Sequence, residues 1–391
     1  MMKFFKKVLS KFGYLIFRVI LWILHLFVRL LIINSFLFEK QNPKYSLALF
    51  PYSQKGSDGY KRRFEEYFSF LDKDGVRYKV FDLCSDKHYL KHVNQNIYIS
   101  GYFYMRIFVK RIFQVLQIRH YKTAFIHRNL FPFYPDQKIP ILERLAYKLC
   151  QHVVIDYWDS VWLYNPELNK RTVKYCHKIS VVNDFILQHY KNIPVPKVLF
   201  SIGVNLDKYH IKKDYTLKTA NTLTFFYTGQ PHNVKKMVDK LKPVFFELSK
   251  ILKIKMILVS RESIDIPNVE VKHHIFSEET FFDLLVQADI GIYAIDNTDI
   301  SKGKMAMKIL DYAAAGLPAI ASPYGVTPFA INERNILFAE TKTEWQKGIL
   351  SLYNSYELRQ SIGSKARIMM EKHHSLLSSY ENFKAITAIS D

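Results

Sequence analysis

The sequence predicts an α/β chain of two doubly wound, parallel-sheet domains behind an apolar, basic N-terminal helix. Three observations predict it. From Tyr45 onward, short β-branched and aromatic runs alternate with helical patterns, as in βαβ units. The alternation lapses in a polar stretch, residues 207–222, and restarts at Leu223. Ahead of it all, Tyr14 to Ile33 is almost wholly apolar. The chain of 391 residues is long enough for two sizeable cores.

The formal net charge of +21 calls for an anionic partner: nucleic acid, anionic lipid or a phosphorylated substrate. Cys84, Cys150 and Cys176 are scattered, without metal-ligand spacing, which suits a reducing cytoplasm and predicts no metal site.

Residues 1–44 hold eight Lys or Arg and one acid, Glu39. Lys7, Lys11, Arg18, His25 and Arg29 are spaced four, seven, seven and four residues apart. At about 100° per residue they share one narrow stripe of a helix otherwise made of large apolar residues. A stripe of this kind fits a helix lying among lipid headgroups. It also fits a tilted, inserted helix whose stripe faces protein. A simple span would bring Arg18 and Arg29 into or near hydrocarbon, at a few kcal/mol each. The expectation is a monotopic anchor on an anionic membrane surface.

The first domain is expected over residues 45–206. Tyr45–Phe50 reads as a strand, Tyr60–Leu71 as a helix and Arg77–Leu83 as a strand. The loop between the first two has Gly56 and Gly59 but no G-x-G-x-x-G spacing, so it is not read as a dinucleotide site. Residues 97–122 are helical, aromatic and basic; a second membrane-facing surface and a core face with surface charge both fit. Strands follow at Thr123–His127 and Val153–Ile155, with a helix, Ile139–Leu149, between them. His127 and Arg128 stand just past the first of these strands, Asp156 and Asp159 just past the second. Ends of that kind are where open α/β sheets place ligands. Asp159 or Ser160 capping the next helix is the structural alternative.

The second domain is expected over residues 223–372, with residues 373–391 as a C-terminal helix that packs back on the first domain. Its most informative stretch is Ser301 to Val326, SKGKMAMKILDYAAAGLPAIASPYGV. Gly303 can open a tight loop, Lys308–Ala315 can run as a helix, and Gly316 with Pro318 would end it. Ala319–Ala321 is then a brief buried strand. A helix start with Lys308 in its first turns suits an anion. An ordinary crossover helix would give the same local pattern.

IDYWDSVW, SIGVNLDKY, ADIGIYAID and GKMAMKILDYAAAGLPAIASPYGV, in this order along the chain, resemble the family 4 glycosyltransferases (glycosyl transferases group 1). That family has the GT-B fold, two Rossmann-like domains facing a cleft. The resemblance runs from about residue 120 to 372 and implies a nucleotide-diphosphate sugar in the second domain. Gly229 would let the loop approach the phosphates, and Lys235 and Lys308 would neutralise them. Asp311, followed by Tyr312, matches the second acid of the family's paired-glutamate motif. The first acid falls at Gly303, where backbone amides would meet the ligand instead. Gln230 stands where many members have arginine. Asp156 or Asp159 would meet the sugar or acceptor hydroxyl, with His127 and Arg128 beside them.

The resemblance implies retention of configuration, no metal and no other cofactor. The expected function is transfer of a sugar to a lipid-linked or other surface-glycan acceptor. It is placed at the cytoplasmic face of the inner (plasma) membrane, with the chain peripheral or monotopic. The rival is an inactive, membrane-tethered glycan-assembly partner of the same fold. Nucleic acid is not an expected partner, since no binding module is recognisable.

Overall fold

A computed structural model describes residues 2–35, 43–93, 97–131, 138–217 and 219–389. The chain forms two compact units. Unit 1 comprises Met1–Val182, Ile186–Phe200 and Tyr380–Asp391; unit 2 comprises Asn183–Phe185 and Ser201–Ser379.

Helix α1 (Met2–Ile33) opens the chain. The elements that follow are β1 (Tyr45–Phe50), α2 (Asp58–Tyr60), α3 (Glu66–Lys73), β2 (Tyr78–Val80), α4 (Asp86–Val93), α5 (Ile97–Gln117) and β3 (Tyr121–His127). Next come α6 (Ile141–Leu149), β4 (His152–Tyr157), α7 (Pro166–Thr172), β5 (Lys178–Val181), α8 (Asp184–His189) and β6 (Lys197–Leu199). The strands lie parallel in the order β2-β1-β3-β4-β5-β6. β2 is shorter than the expected Arg77–Leu83 because it is an edge strand paired only with β1. Helix α7 escapes the periodicity argument. Its signal is local: Asn165 accepts from Leu168 N–H at 3.2 Å, and Pro166 occupies the first turn.

Unit 2 contains β7 (Thr222–Thr228), α9 (Pro231–Leu248), β8 (Lys253–Val259), β9 (Glu270–His274), α10 (Glu278–Gln287), β10 (Ile290–Tyr293) and α11 (Asp299–Lys302). It continues with α12 (Met307–Ala314), β11 (Ala319–Ala321), β12 (Leu337–Phe338), α13 (Lys342–Asn354) and α14 (Tyr356–His373). Its strands are also parallel, in the order β12-β11-β10-β7-β8-β9. Both sheets therefore reverse direction once, unit 1 between β1 and β3, unit 2 between β7 and β10.

The last helix, α15 (Leu376–Thr387), carries Tyr380, Phe383 and Ile386 into the unit 1 core with Tyr67, Phe125 and Phe200. The Tyr67 and Phe383 rings stack at 5.3 Å, and Thr123 Oγ1 donates to Thr387 O at 2.8 Å. Residues 207–222, expected as a linker, are instead packed into unit 2. Lys212 is 6% exposed, and its Nζ donates to the carbonyls of Val286 and Ala288. Tyr215 Oη donates to Gly316 O at 3.0 Å. A segment that packs through hydrogen bonds to carbonyls needs no apolar periodicity, which is why it read as polar and unstructured.

Helix α1 packs on α5 and α6. His25, Val28 and Ile32 face inward and are buried, while Arg18 and Arg29 are exposed. The basic stripe is thus split. His25 joins the packed face with Val28 and Ile32, and the two arginines sit about 20° and 40° from it on the side away from those residues, enough to reach solvent. The side chains of Lys7 and Lys11 lie outside the described residues.

Candidate functional site

In open parallel sheets, ligands bind beyond the carboxyl ends of the strands where the winding reverses. Each unit has such a point, and each gathers polar side chains there.

In unit 2, β7 ends at Thr228 and leads through Gly229 into α9, whose first turn holds Pro231. Across the reversal, β10 ends at Tyr293, and α12 begins at Met307. Lys308 bridges the two. Its Nζ lies 5.4 Å from the centre of the Tyr227 ring and 5.8 Å from that of Tyr293. A Cβ built at Gly229 would stand 3.3 Å from Lys308 Cε and 3.2 Å from Tyr227 Cε1. Glycine there keeps the lysine's approach open. Lys308 is half-buried, and loss of hydration pushes its ammonium down to about 8, against a smaller upward pull from Asp311. It is still mostly charged at neutral pH, and any anion that pairs with it raises its pKa again.

Asp311 is buried one turn along α12 and accepts from Tyr209 Oη at 2.6 Å. Tyr312, the next residue, lies wholly in the core. Its hydroxyl donates to Ile292 O at 3.1 Å, so it braces α12 against β10. Lys235 is exposed on the second turn of α9. Gly303 ends the short helix α11, not an open loop. Its N–H donates to Asp299 O at 3.0 Å, and its φ of −81° is open to any residue. The amide expected to meet a ligand is therefore already paired. Gly316 does what its position demands, with φ +66° at the end of α12. Leu317 N–H reaches Tyr312 O and Gly316 N–H reaches Ala313 O, a Schellman close.

In unit 1, the ends of β1, β3 and β4 bring together Tyr52, His127, Arg128, Trp158 and Asp159. His127 is 1% exposed, ringed by Tyr52, Phe64 and Trp158 at 5.2–6.5 Å between centroids. Neither of its ring nitrogens has a hydrogen-bond partner among the described residues. Burial first, then the charges of Arg128 and Arg63, hold it neutral. Arg128 has φ +61°, sparsely populated for a residue with a Cβ, and its N–H donates to Asp156 O at 2.8 Å. Its guanidinium pairs with Asp159 and lies 5.0 Å over Tyr52. Both partners of that pair are about a quarter exposed. The cluster thus offers a neutral imidazole and an accessible ion pair, groups that fit hydroxyl-rich ligands.

Asp156 stands apart from it. The carboxylate is fully buried, paired with Arg63 through both oxygens and accepting from Ser180 Oγ at 2.6 Å. Arg63 comes from a single wide turn, Lys61–Glu65, in which Glu66 N–H reaches Lys61 O. It also donates to Phe200 O and lies 3.7 Å over the Phe200 ring. Asp156 therefore ties α2–α3, β4, β5 and the end of β6 together; Asp159 is the acid of the two that reaches solvent.

Sequence reasoning missed Tyr52, Tyr227, Tyr293 and Arg63. The three tyrosines sit at or just past strand ends, a signal that becomes specific only once the strand order names the reversing strands. Arg63 follows Lys61 and Arg62 just after Gly59, and nothing in that basic run marks which side chain is buried. No group of three or more His, Cys, Asp or Glu side chains that could hold a metal occurs among the described residues.

Residues 248–385 match the family described as Glycosyl transferase-like. No curated protein matches the chain by sequence. Among solved structures, HepE of Anabaena in complex with UDP and glucose is 9% identical, with TM-score 0.59, over 88% of this chain and 99% of that one. A glycosyltransferase from Rickettsia africae is 16% identical, with TM-score 0.59, over 90% and 99%. Sucrose-phosphate synthase from Thermosynechococcus elongatus is 10% identical, with TM-score 0.60, over 88% and all of that chain. At these identities the structural likeness is one of fold: the chain shares its fold with these glycosyltransferases. The segment similar to the Glycosyl transferase-like family is less than half of the chain, and it contains Lys308 and Asp311.

Proposed function

We propose that the protein transfers a sugar, with retention, from a nucleoside-diphosphate sugar to a lipid-linked or cell-surface glycan acceptor at the cytoplasmic face of a membrane. The observation that carries the donor half is the placement of Lys308 beside Gly229 and over Tyr227 and Tyr293. A diphosphate leaving group develops negative charge as the glycosidic bond breaks. A half-dehydrated ammonium and two helix starts, α9 and α12, are suited to stabilise it. The UDP held by HepE supports a nucleoside diphosphate as donor moiety. In this reading the chemistry runs without a metal, with Lys308 supplying the positive charge, and the family resemblance supports retention. The unit 1 cluster of His127, Arg128 and Asp159 takes the sugar and acceptor hydroxyls.

The membrane half rests on α1. Residues Gly13–Ile33 are long and apolar enough to cross a bilayer. Leu15, Val19, Ile23, Leu26 and Leu30 are each more than half exposed on it. A face so apolar, with Arg18 and Arg29 beside it, suits an anionic membrane surface.

The test uses the full chain in detergent micelles with radiolabelled nucleotide sugars and anionic vesicles. Saturable nucleotide binding and sugar release or transfer that falls at least a hundredfold in Lys308→Ala is expected. Intact turnover in that variant would overturn the assignment. Removal of residues 2–33 should abolish flotation with vesicles; a truncated chain that still floats would remove the anchor.

A further inference from the structure

A second cluster of cationic and aromatic side chains lies in unit 1, away from the ends of β3 and β4. It lines a cavity of about 370 Å³ between α4, α5 and the chain just past β2. His88, His92, Arg106 and Lys110 supply the polar lining, and Tyr102 and Phe103 supply rings. The His88 and His92 rings are 4.3 Å apart, and His92 stacks on Phe103 at 5.3 Å. Arg106 lies 5.8 Å over Tyr102. Lys110 Nζ donates to Leu83 O at 2.9 Å, which holds the ammonium at the wall. No carboxylate is among the described lining residues; Asp82 acts on Lys110 from outside the lining. Two cations and two imidazoles converge on a lining without a carboxylate, which suits an anion, and a guanidinium beside an ammonium suits phosphate oxygens.

Its surroundings narrow the ligand. Tyr98, Ile99 and Tyr102 are exposed on α5 by the mouth of the cavity, at 42%, 42% and 53%. The same helix packs against α1, where Phe17 lies on Gly101. Exposed apolar side chains thus stand both on α5 and on α1, the helix packed against it. An inorganic polyanion leaves such a rim uncovered; a phosphate on an apolar chain covers it.

We propose that the α4–α5 cavity binds the phosphate or diphosphate of an amphiphilic acceptor, whose apolar chain runs along the exposed residues of α5 and α1. The acceptor role rests on the glycosyltransferase reading; the anion site stands on its own residues.

The experiment titrates the full chain in micelles with farnesyl diphosphate, with inorganic pyrophosphate and farnesol as competitors, in the wild type and in Arg106→Gln/Lys110→Gln. Both arginine and lysine are exposed, so the variant is expected to fold. Saturable farnesyl diphosphate binding, weakened at least tenfold in the double variant, supports the proposal. So does competition by pyrophosphate at higher concentration together with no competition by farnesol. Binding within twofold of wild type in the double variant overturns it, as does equal competition by farnesol. Pyrophosphate that competes as well as farnesyl diphosphate removes the apolar chain from the ligand. Titration with UDP, GDP and ADP is run alongside. If the wild type binds none of them, the donor reading fails, while the farnesyl diphosphate result still decides the cavity.

Discussion

Nucleoside-diphosphate binding should fall about tenfold between pH 7 and pH 9, and the cause should be one proton on Lys308. An ordinary lysine, with a pKa near 10.4, stays charged over that range and gives a flat profile. Lys308 is different because the protein around it removes water from the ammonium and lowers its pKa to about 8. If only the ammonium form grips the diphosphate, the apparent Kd scales inversely with the fraction still protonated. That fraction falls from roughly nine-tenths at pH 7 to roughly a tenth at pH 9, an order of magnitude in affinity. The ligand does not blur the result, because phosphate second ionisations lie near pH 6. The sign follows from linkage: binding stabilises the protonated lysine, so ligand affinity is highest below about pH 8 and is lost as pH rises through it. Lys308→Arg should bind with a flat profile, since guanidinium does not titrate there. Lys308→Met should lose about 1.5–3 kcal/mol, roughly ten- to hundredfold, at pH 7. Calorimetric titration with UDP, GDP and ADP at pH 7, 8 and 9 reads all of this. Flat wild-type binding across the range, or full affinity in Lys308→Met, would refute the reasoning.

Other outcomes follow from the same structure. Gly229→Ala puts a methyl 3.3 Å from Lys308 Cε and should weaken nucleotide binding about tenfold with little change in Tm. Arg63→Ala leaves Asp156 buried without its cation and should cost about 3–5 kcal/mol in urea unfolding. Arg63→Lys should recover only part of that loss, because one ammonium cannot span both carboxylate oxygens. His374 is buried between Ile202 O at 2.9 Å and Thr327 Oγ1 at 2.8 Å, and burial lowers its pKa to about 4. Its folded pKa lies below its unfolded one, so stability should be full above pH 6.5 and fall progressively toward pH 4. His374→Gln should flatten that slope in a pH series of thermal melts.

Much of the fold was legible in order along the chain because parallel strands buried on both faces are short apolar runs. Tyr45–Phe50 and Ala319–Ala321 lie where the pattern puts them. The end of α12 was legible too, since only a residue without a Cβ sits easily at φ +66°. Elements whose stability comes from single hydrogen bonds were not legible. Neither α4 nor the packed segment 207–222 carries an apolar period, and the latter holds its place through Lys212 and Tyr215.

The candidate site divides in the same way. Composition and spacing alone determine the basic charge, the apolar helix ahead of Tyr45, the strand–helix alternation and the Gly-bounded lysine helix, since each is a property of neighbours in sequence. Which strands reverse the winding is decided by pairing between residues far apart in the chain. Only that pairing brings Tyr227, Tyr293 and Gly229 around Lys308. Burial is likewise a tertiary property. It makes Asp156 a brace for Arg63, leaves Asp159 at the surface, turns His25 inward and gives Lys308 the lowered pKa on which the first prediction depends.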